Sequence, residues 1–358
     1  MGAVGRTILI IVVVVAVLLG AGYFFGPKTA SRSQTLEIAR PAPTVLARLA
    51  STPVGATVTE GVTIAEPATL EGDTVTAPVT YASGETGQVS YRVTPQGEGS
   101  RVQVKLEQDL GANPLDRFQV ITGGKVGPLI ATAASAVESD LNALPNASFE
   151  GLVYVVEEVR AQPFFYAESC TPNEPEAITQ LIADAKAGIG PIMRQRGLQE
   201  AGPLMAVEPR VVDGQYCFQI GYPFRGRAPG NVLGNLIRSG QTPAGQVLRV
   251  HYTGAEAEVV PEVYDRLDAL LGAVHLDNPT TREDDWVTYE VYHDDPTQEG
   301  GSRNRDIYYV VPEGVDLSRV TAIAPPAQAL PATEPAEAPA ATTPATPAEE
   351  TPAPATTP

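Results

Sequence analysis

Between residues 163 and 311 the chain reads twice as strand, helix, strand, strand. The first copy takes residues 163–170, 174–192, 203–212 and 215–223. The second takes residues 246–252, 259–271, 287–293 and 307–311. A repeated unit of this kind constrains the fold more than composition does. The helical stretches carry matching apolar stripes. Ile178, Leu181, Ile182, Ala185 and Ile189 recur at helical spacing in one; Val260, Val263, Tyr264, Leu267, Leu270 and Leu271 recur in the other. The expected class is α+β.

The middle strand of the second copy, in residues 285–296, carries the chemistry. Side chains alternate across a strand, so Trp286, Thr288, Glu290 and Tyr292 share one face. A carboxylate flanked by aromatics on a sheet face suits an organic cation or a polar ring system. An exposed strand Glu on a solvated face is the plain alternative. It would leave Trp286 and Tyr292 displayed to water. Tyr166, Tyr216, Phe218 and Tyr222 are further candidate walls, each equally plausible as core.

Ordered short motifs run through the same region: Gly202-Pro203, Tyr222-Pro223, Pro243-Ala244-Gly245, His251-x-x-Gly254, and Tyr289-Glu290-Val291-Tyr292 before Asp295-Pro296. With them, residues 153–313 resemble the GyrI-like small-molecule-binding domain, the bacterial effector-binding domain of AraC- and MerR-type regulators and of free-standing proteins. The chain departs from that pattern at Gly254-Ala255-Glu256, where the family often has Gly-Pro-Tyr, and at Tyr289, where it often has Trp. The resemblance implies a ligand pocket holding Glu290, Trp286 and Tyr292, with Tyr166, Tyr216, Phe218 and Tyr222 as walls. Some relatives are hydrolases whose buried Glu activates water, which would make Glu290 the general base. Others bind and inhibit a topoisomerase, an interaction-module reading.

Residues 33–149 read as a separate domain. A strand, a Pro-containing turn and a helix fill residues 35–50. Strands are expected at 57–64, 74–81, 87–95 and 101–109, followed by a long helix over about 115–144. This order, with Ile38, Pro41, Pro43 and Val45 at its opening, resembles the SRPBCC or START-like helix-grip fold of polyketide cyclases and lipid carriers. The Trp-Ser-Pro segment usual after its first helix is absent.

Residues 7–25 are an uncharged apolar run, long enough to span a bilayer at ~1.5 Å per residue and longer than the apolar core of a secretory signal. Residues 1–27 are therefore expected to be an uncleaved transmembrane anchor in a bacterial inner membrane. Tyr23, Phe24 and Phe25 fit an interfacial belt. A short N-terminal tail ahead of a large body is expected to stay in the cytoplasm, which would put the body in the periplasm. Residues 325–358 are mostly Pro, Ala, Thr and Glu, a composition expected to stay extended and disordered.

The net charge of −18 and the lack of a basic stripe exclude nucleic acid as a partner. Cys170 and Cys217 are the only cysteines. An oxidising compartment would let them pair, and two small buried side chains are the alternative. His251, His275 and His293 lie far apart in sequence, beside no nucleophile elbow and no Cys-x-x-Cys. Neither cofactor nor metal is expected. The reading is a membrane-anchored, non-catalytic protein that binds a small organic ligand, cationic or aromatic.

Overall fold

A computed structural model of the chain describes residues 10–17, 20, 28–110, 126–172, 174–227, 237–276, 286–298 and 300–327. Of the apolar run at 7–25, residues 10–17 are helical with exposed side chains. Its remainder, apart from Gly20, lies outside the described residues, as does the tail from 328 on. No helix among the described residues is long and apolar enough to cross a membrane, so the expected spanning helix has no counterpart there.

The N-terminal half builds a seven-stranded antiparallel sheet. Its strands are β1 (Thr29–Ile38), β2 (Thr57–Thr59), β3 (Val62–Ile64), β4 (Thr69–Glu71), β5 (Thr74–Tyr81), β6 (Thr86–Gln96) and β7 (Gly99–Asp109). They lie in the order β1-β7-β6-β5-β3-β2, with β4 also on β5. Strict alternation buries Val75, Ala77, Val79 and Tyr81 from β5, Val89, Tyr91 and Val93 from β6, and Val102, Val104 and Leu106 from β7. Two helices cover that face: α1 (Ala42–Ala50), through Val45 and Leu49, and α2 (Val126–Ala143), through Ile130, Ala133, Ala134 and Leu141. The single strand expected at 57–64 is instead a hairpin, β2–β3. Glu60 and Gly61 turn the chain, with Gly61 at φ +74°. The first part of the expected long helix, up to residue 125, falls outside the described residues.

The C-terminal half forms a nine-stranded antiparallel sheet. Its two repeats are β9 (Pro163–Thr171), α3 (Pro175–Arg196), β11 (Met205–Val212) and β12 (Gln215–Arg225), then β14 (Gly245–Thr253), α4 (Asp265–Ala273), β15 (Val287–Tyr292) and β16 (Asn304–Val310). Four strands had no clear signal in the sequence: β8 (Val155–Val159), β10 (Gln199–Glu200), β13 (Ile237–Gln241) and the short β4 of the first sheet. The order is β13-β9-β12-β11-β15-β16-β14-β8, with β10 also on β12. In each repeat the third strand lies between the first and second, and the repeats meet where the two second strands pair. There Ala206 stands opposite Glu290 and Met205 opposite Val291.

Both repeat helices lie on one face of this sheet. Ile182, Ala185 and Ile189 of α3 pack with Phe165, Ile220 and Tyr292. Leu267, Leu270 and Leu271 of α4 pack with Leu248, Val250, Ile307 and Tyr309. Beta-12 approaches β9 so closely at Gly221 that a Cβ there would lie 2.0 Å from the Phe165 carbonyl oxygen. Cys170 and Cys217 face each other across the same strand pair and form a disulfide. A last helix, α5 (Ser318–Ile323), follows the sheet.

The halves touch through α1 and α4. Arg48 donates to the Gly272 carbonyl at 2.6 Å and pairs with Asp140 of α2, also at 2.6 Å. His275 Nε2 lies 3.1 Å from the Arg48 carbonyl.

Candidate functional site: a cleft between the repeat helices

The repeat geometry leaves a gap over the seam. Alpha-3 covers one repeat and α4 the other, and Ala206 puts only a methyl group opposite Glu290. The resulting cleft has a volume of about 1120 Å³. Its floor carries Glu290, Thr288 and Tyr292 from β15 and Tyr216 and Phe218 from β12. One wall is the start of α3, with Ile178 and Thr179; the other is residues 255–268.

That second wall is irregular. A 3-10 turn (Glu256–Glu258) and a π-helical turn (Val260–Tyr264) precede α4. Pro261 lacks an N–H to continue a regular ladder, and π turns tend to gather at functional sites. The distortion aims Tyr264 and Glu256 at the cleft. The third boundary is the loop from β15 to β16. Asp294 fixes it by accepting from the Ser302 hydroxyl and, at 2.7 Å, from the Arg303 backbone N–H. Asp295 ties it to α3, pairing with Lys186 at 2.6 Å.

At the floor lies a polar network that one strand's spacing could not reveal. Tyr264 donates to Glu290 Oε1 at 2.6 Å, and Arg305 donates to Glu290 Oε2 at 2.8 Å. The Arg305 side chain is 2 % exposed and also bonds both oxygens of Glu256 and the Ser302 carbonyl. Its guanidinium stands 5.4 Å from the centre of the Tyr292 ring. Burial draws Arg305 down to about 10, still charged at neutral pH. Burial pushes the Glu290 carboxyl up, against the lowering effect of the Tyr264 and Tyr292 hydroxyls. Desolvation favours the neutral acid and is the larger effect; the hydroxyls favour the carboxylate. Glu290 is therefore no bare anchor waiting for a ligand cation; the protein supplies its counter-ion.

Even so, the cleft is acidic. Glu176, Glu256, Asp265, Asp268 and Glu290 line it, against Arg303 and Arg305. Asp268 accepts from the Tyr309 hydroxyl at 3.0 Å. The protein around it raises its carboxyl to about 6, although the residue stays exposed to the cleft.

Of the seven residues singled out in the sequence, Glu290, Tyr292, Tyr216 and Phe218 come together here. The other three lie elsewhere. Trp286 packs edge-on against Tyr309, ring centres 6.5 Å apart, just outside the cleft. Tyr166 alternates with Phe165, so it points to the opposite sheet face and stacks on Phe164 at 5.2 Å. Tyr222 packs beside the α3 core. Tyr264, Arg305, Glu256 and Asp268 were missed. Tyr264 reads as one member of an apolar helix stripe, and Arg305 drew no reading from the sequence.

No family model matches the chain, and no curated protein matches it. Solved structures match part of it. A putative bacterial transcription regulation protein from Staphylococcus aureus is 11% identical over 44% of this chain and 97% of its own, with a TM-score of 0.29. SAV2435, solved bound to tetraphenylphosphonium, is 13% identical over 44% of this chain and 93% of its own, with a TM-score of 0.30. A hydrolase from Listeria innocua is 12% identical over 45% of this chain and 93% of its own, with a TM-score of 0.29.

Proposed function

We infer that the protein binds a small amphipathic organic cation in the cleft between α3 and α4, without transforming it. One observation carries this reading: a cleft of about 1120 Å³ floored by aromatic rings and bearing five carboxylates against two guanidiniums. Aromatic faces and a net excess of negative charge both favour a delocalised cation. The size suits a drug-sized molecule. The resemblance of residues 153–313 to the GyrI-like effector-binding domain points the same way. Hydrolysis by Glu290 is the weaker reading, because Tyr264 and Arg305 already engage both of its oxygens. The order of strands and helices in the N-terminal half supports a START-like fold for residues 33–149.

The apolar run at 7–25 anchors the chain in a membrane, with the body outside the cytoplasm. The Cys170–Cys217 disulfide suits an oxidising compartment. An alkaline phosphatase fused to the C-terminus should be active in cells; an inactive fusion would place the body in the cytoplasm.

Calorimetric titration with tetraphenylphosphonium tests the binding. Saturable one-to-one binding is expected. Tyr216→Ala, which removes an aromatic face from the floor, should weaken it roughly 2- to 30-fold, from ~0.5–2 kcal/mol per cation–ring contact. Absence of binding to the wild type would remove the reading.

A further inference from the structure

The sheet face turned away from both helices holds a second cluster. Leu248, Val250 and Tyr252 of β14 point into the α4 core, so His251 between them points the other way. Arg305 and Ile307 of β16 also face the helices, so Asp306 points away with His251. His293, one residue past β15, completes the group. The β14, β16 and β15 strands are neighbours, and His251 and Asp306 are register partners. Three residues spread over 55 positions of sequence thus meet at one point on a rigid surface.

The geometry is tight. His251 Nδ1 lies 2.8 Å from Asp306 Oδ1, and His293 Nε2 lies 2.9 Å from Asp306 Oδ2. One donor atom from each residue lies within 4.8 Å of the others. Both imidazoles reach solvent, with side chains 53% and 34% exposed, while the carboxylate is 10% exposed. One step along β16 on the same face, Asn304 carries a buried side-chain oxygen with no partner among the described residues.

We propose that His251, His293 and Asp306 bind a late first-row transition-metal ion, zinc foremost, leaving its fourth position open to water. Two imidazoles and one carboxylate are a borderline donor set that suits zinc, cobalt, nickel or copper and not magnesium or calcium. Tetrahedral zinc with ~2.0–2.1 Å bonds sets its ligand atoms about 3.3 Å apart. Zinc would replace the two hydrogen bonds, which reach different oxygens of Asp306, and draw both imidazole nitrogens and one carboxylate oxygen, now within 4.8 Å of one another, to that spacing. Two neighbouring strands carry His251 and Asp306, and the His293 N–H, bonded to the Asn304 carbonyl at 2.9 Å, fixes the first residue after β15 beside them.

The surroundings are compatible. The Arg249 guanidinium, 3.5 Å from Asp306, is itself paired with Glu157 at 2.9 Å, which offsets its repulsion of a cation. The sequence expectation of no metal rested on the absence of a Cys-x-x-Cys motif or a His cluster; the sheet brings two of the histidines together. This site is independent of the cleft, on the opposite face.

The test uses the untagged full-length chain, stripped with a chelator and titrated with zinc against a chromophoric competitor. One zinc per chain is expected, and zinc should raise the melting temperature. Cobalt should give the visible absorption of a four-coordinate site, and magnesium should give neither effect. His251→Ala and His293→Ala should each weaken zinc by more than the ~10–100-fold that follows loss of a mere outer-shell partner. Their far-UV spectra should match the wild type, because both side chains are partly exposed. Zinc binding weaker than millimolar in the wild type overturns the proposal. So does affinity that survives both substitutions, or zinc that raises the melting temperature of His251→Ala as much as that of the wild type.

Discussion

Replacing Glu290 by Gln separates a carboxylate awaiting a ligand from one already paired within the protein. An unpaired buried carboxylate is costly, so its neutral isostere would stabilise the empty protein. The observed network predicts the reverse. The Gln oxygen can still accept from Tyr264, which donates at 2.6 Å in the wild type. The Gln amide group then meets the Arg305 donor that lies 2.8 Å from Glu290 Oε2, donor against donor. The Arg305 side chain is 2 % exposed, so water cannot replace the lost acceptor. Glu256, with a side chain 39% exposed, still holds the guanidinium. The cost should therefore stay near ~1.5–3 kcal/mol for one charged hydrogen bond, below the ~3–5 kcal/mol of stranding a buried charge entirely. At ~2–4 °C per kcal/mol for a body of this size, the melting temperature should fall by about 3–12 °C. Differential scanning calorimetry at pH 7 measures it. An unchanged or raised melting temperature would refute the Glu290–Arg305 pairing.

Three further outcomes follow from the same contacts. Cation binding should strengthen as pH rises through about 6, where Asp268 loses its proton and adds negative charge to the cleft; Asp268→Asn should flatten the profile, seen by titration at pH 5 and 7.5. Reducing the Cys170–Cys217 disulfide, which closes a 47-residue separation, should lower stability by roughly 2–4 kcal/mol, measured by urea unfolding with and without reductant. Truncation after Ala327 should leave the melting temperature unchanged. Truncation before Ala324 should lower it, because the Tyr154 hydroxyl donates to the Ala324 carbonyl and the Ala327 N–H to the Tyr154 carbonyl.

The repeat was legible because period and order survive in one dimension. Val263, Leu267, Leu270 and Leu271 recur at helical spacing, and all four are buried against the sheet. The 203–212 strand appears as β11 and the 287–293 strand as β15, each within two residues of the reading. Alternation along β15 likewise put Glu290 and Tyr292 on one face. What sequence could not supply was depth and partner. Tyr166 falls on the face away from the helices, and Tyr222 differs from Tyr216 only in where along β12 it sits. The seam that pairs Ala206 with Glu290 comes from long-range register. Arg305 shows the same limit. Its burial depends on Glu256 and Glu290 arriving from 49 and 15 residues away, and nothing in its own neighbourhood announces either. The hairpin at Glu60-Gly61 is different. The Gly was visible, but the apolar pattern on both sides ran through it.

The central claim is that the cleft selects an organic ligand by positive charge. Tetraphenylphosphonium and tetraphenylborate have nearly the same shape and apolar area and opposite charge, so their comparison isolates that term. Titration calorimetry of both into the same full-length sample at pH 7.5 should show the cation binding at least ~10-fold more tightly, ~1.4 kcal/mol. That is a modest demand on five carboxylates facing two guanidiniums. Equal affinities, or tighter binding of the borate, would contradict the account.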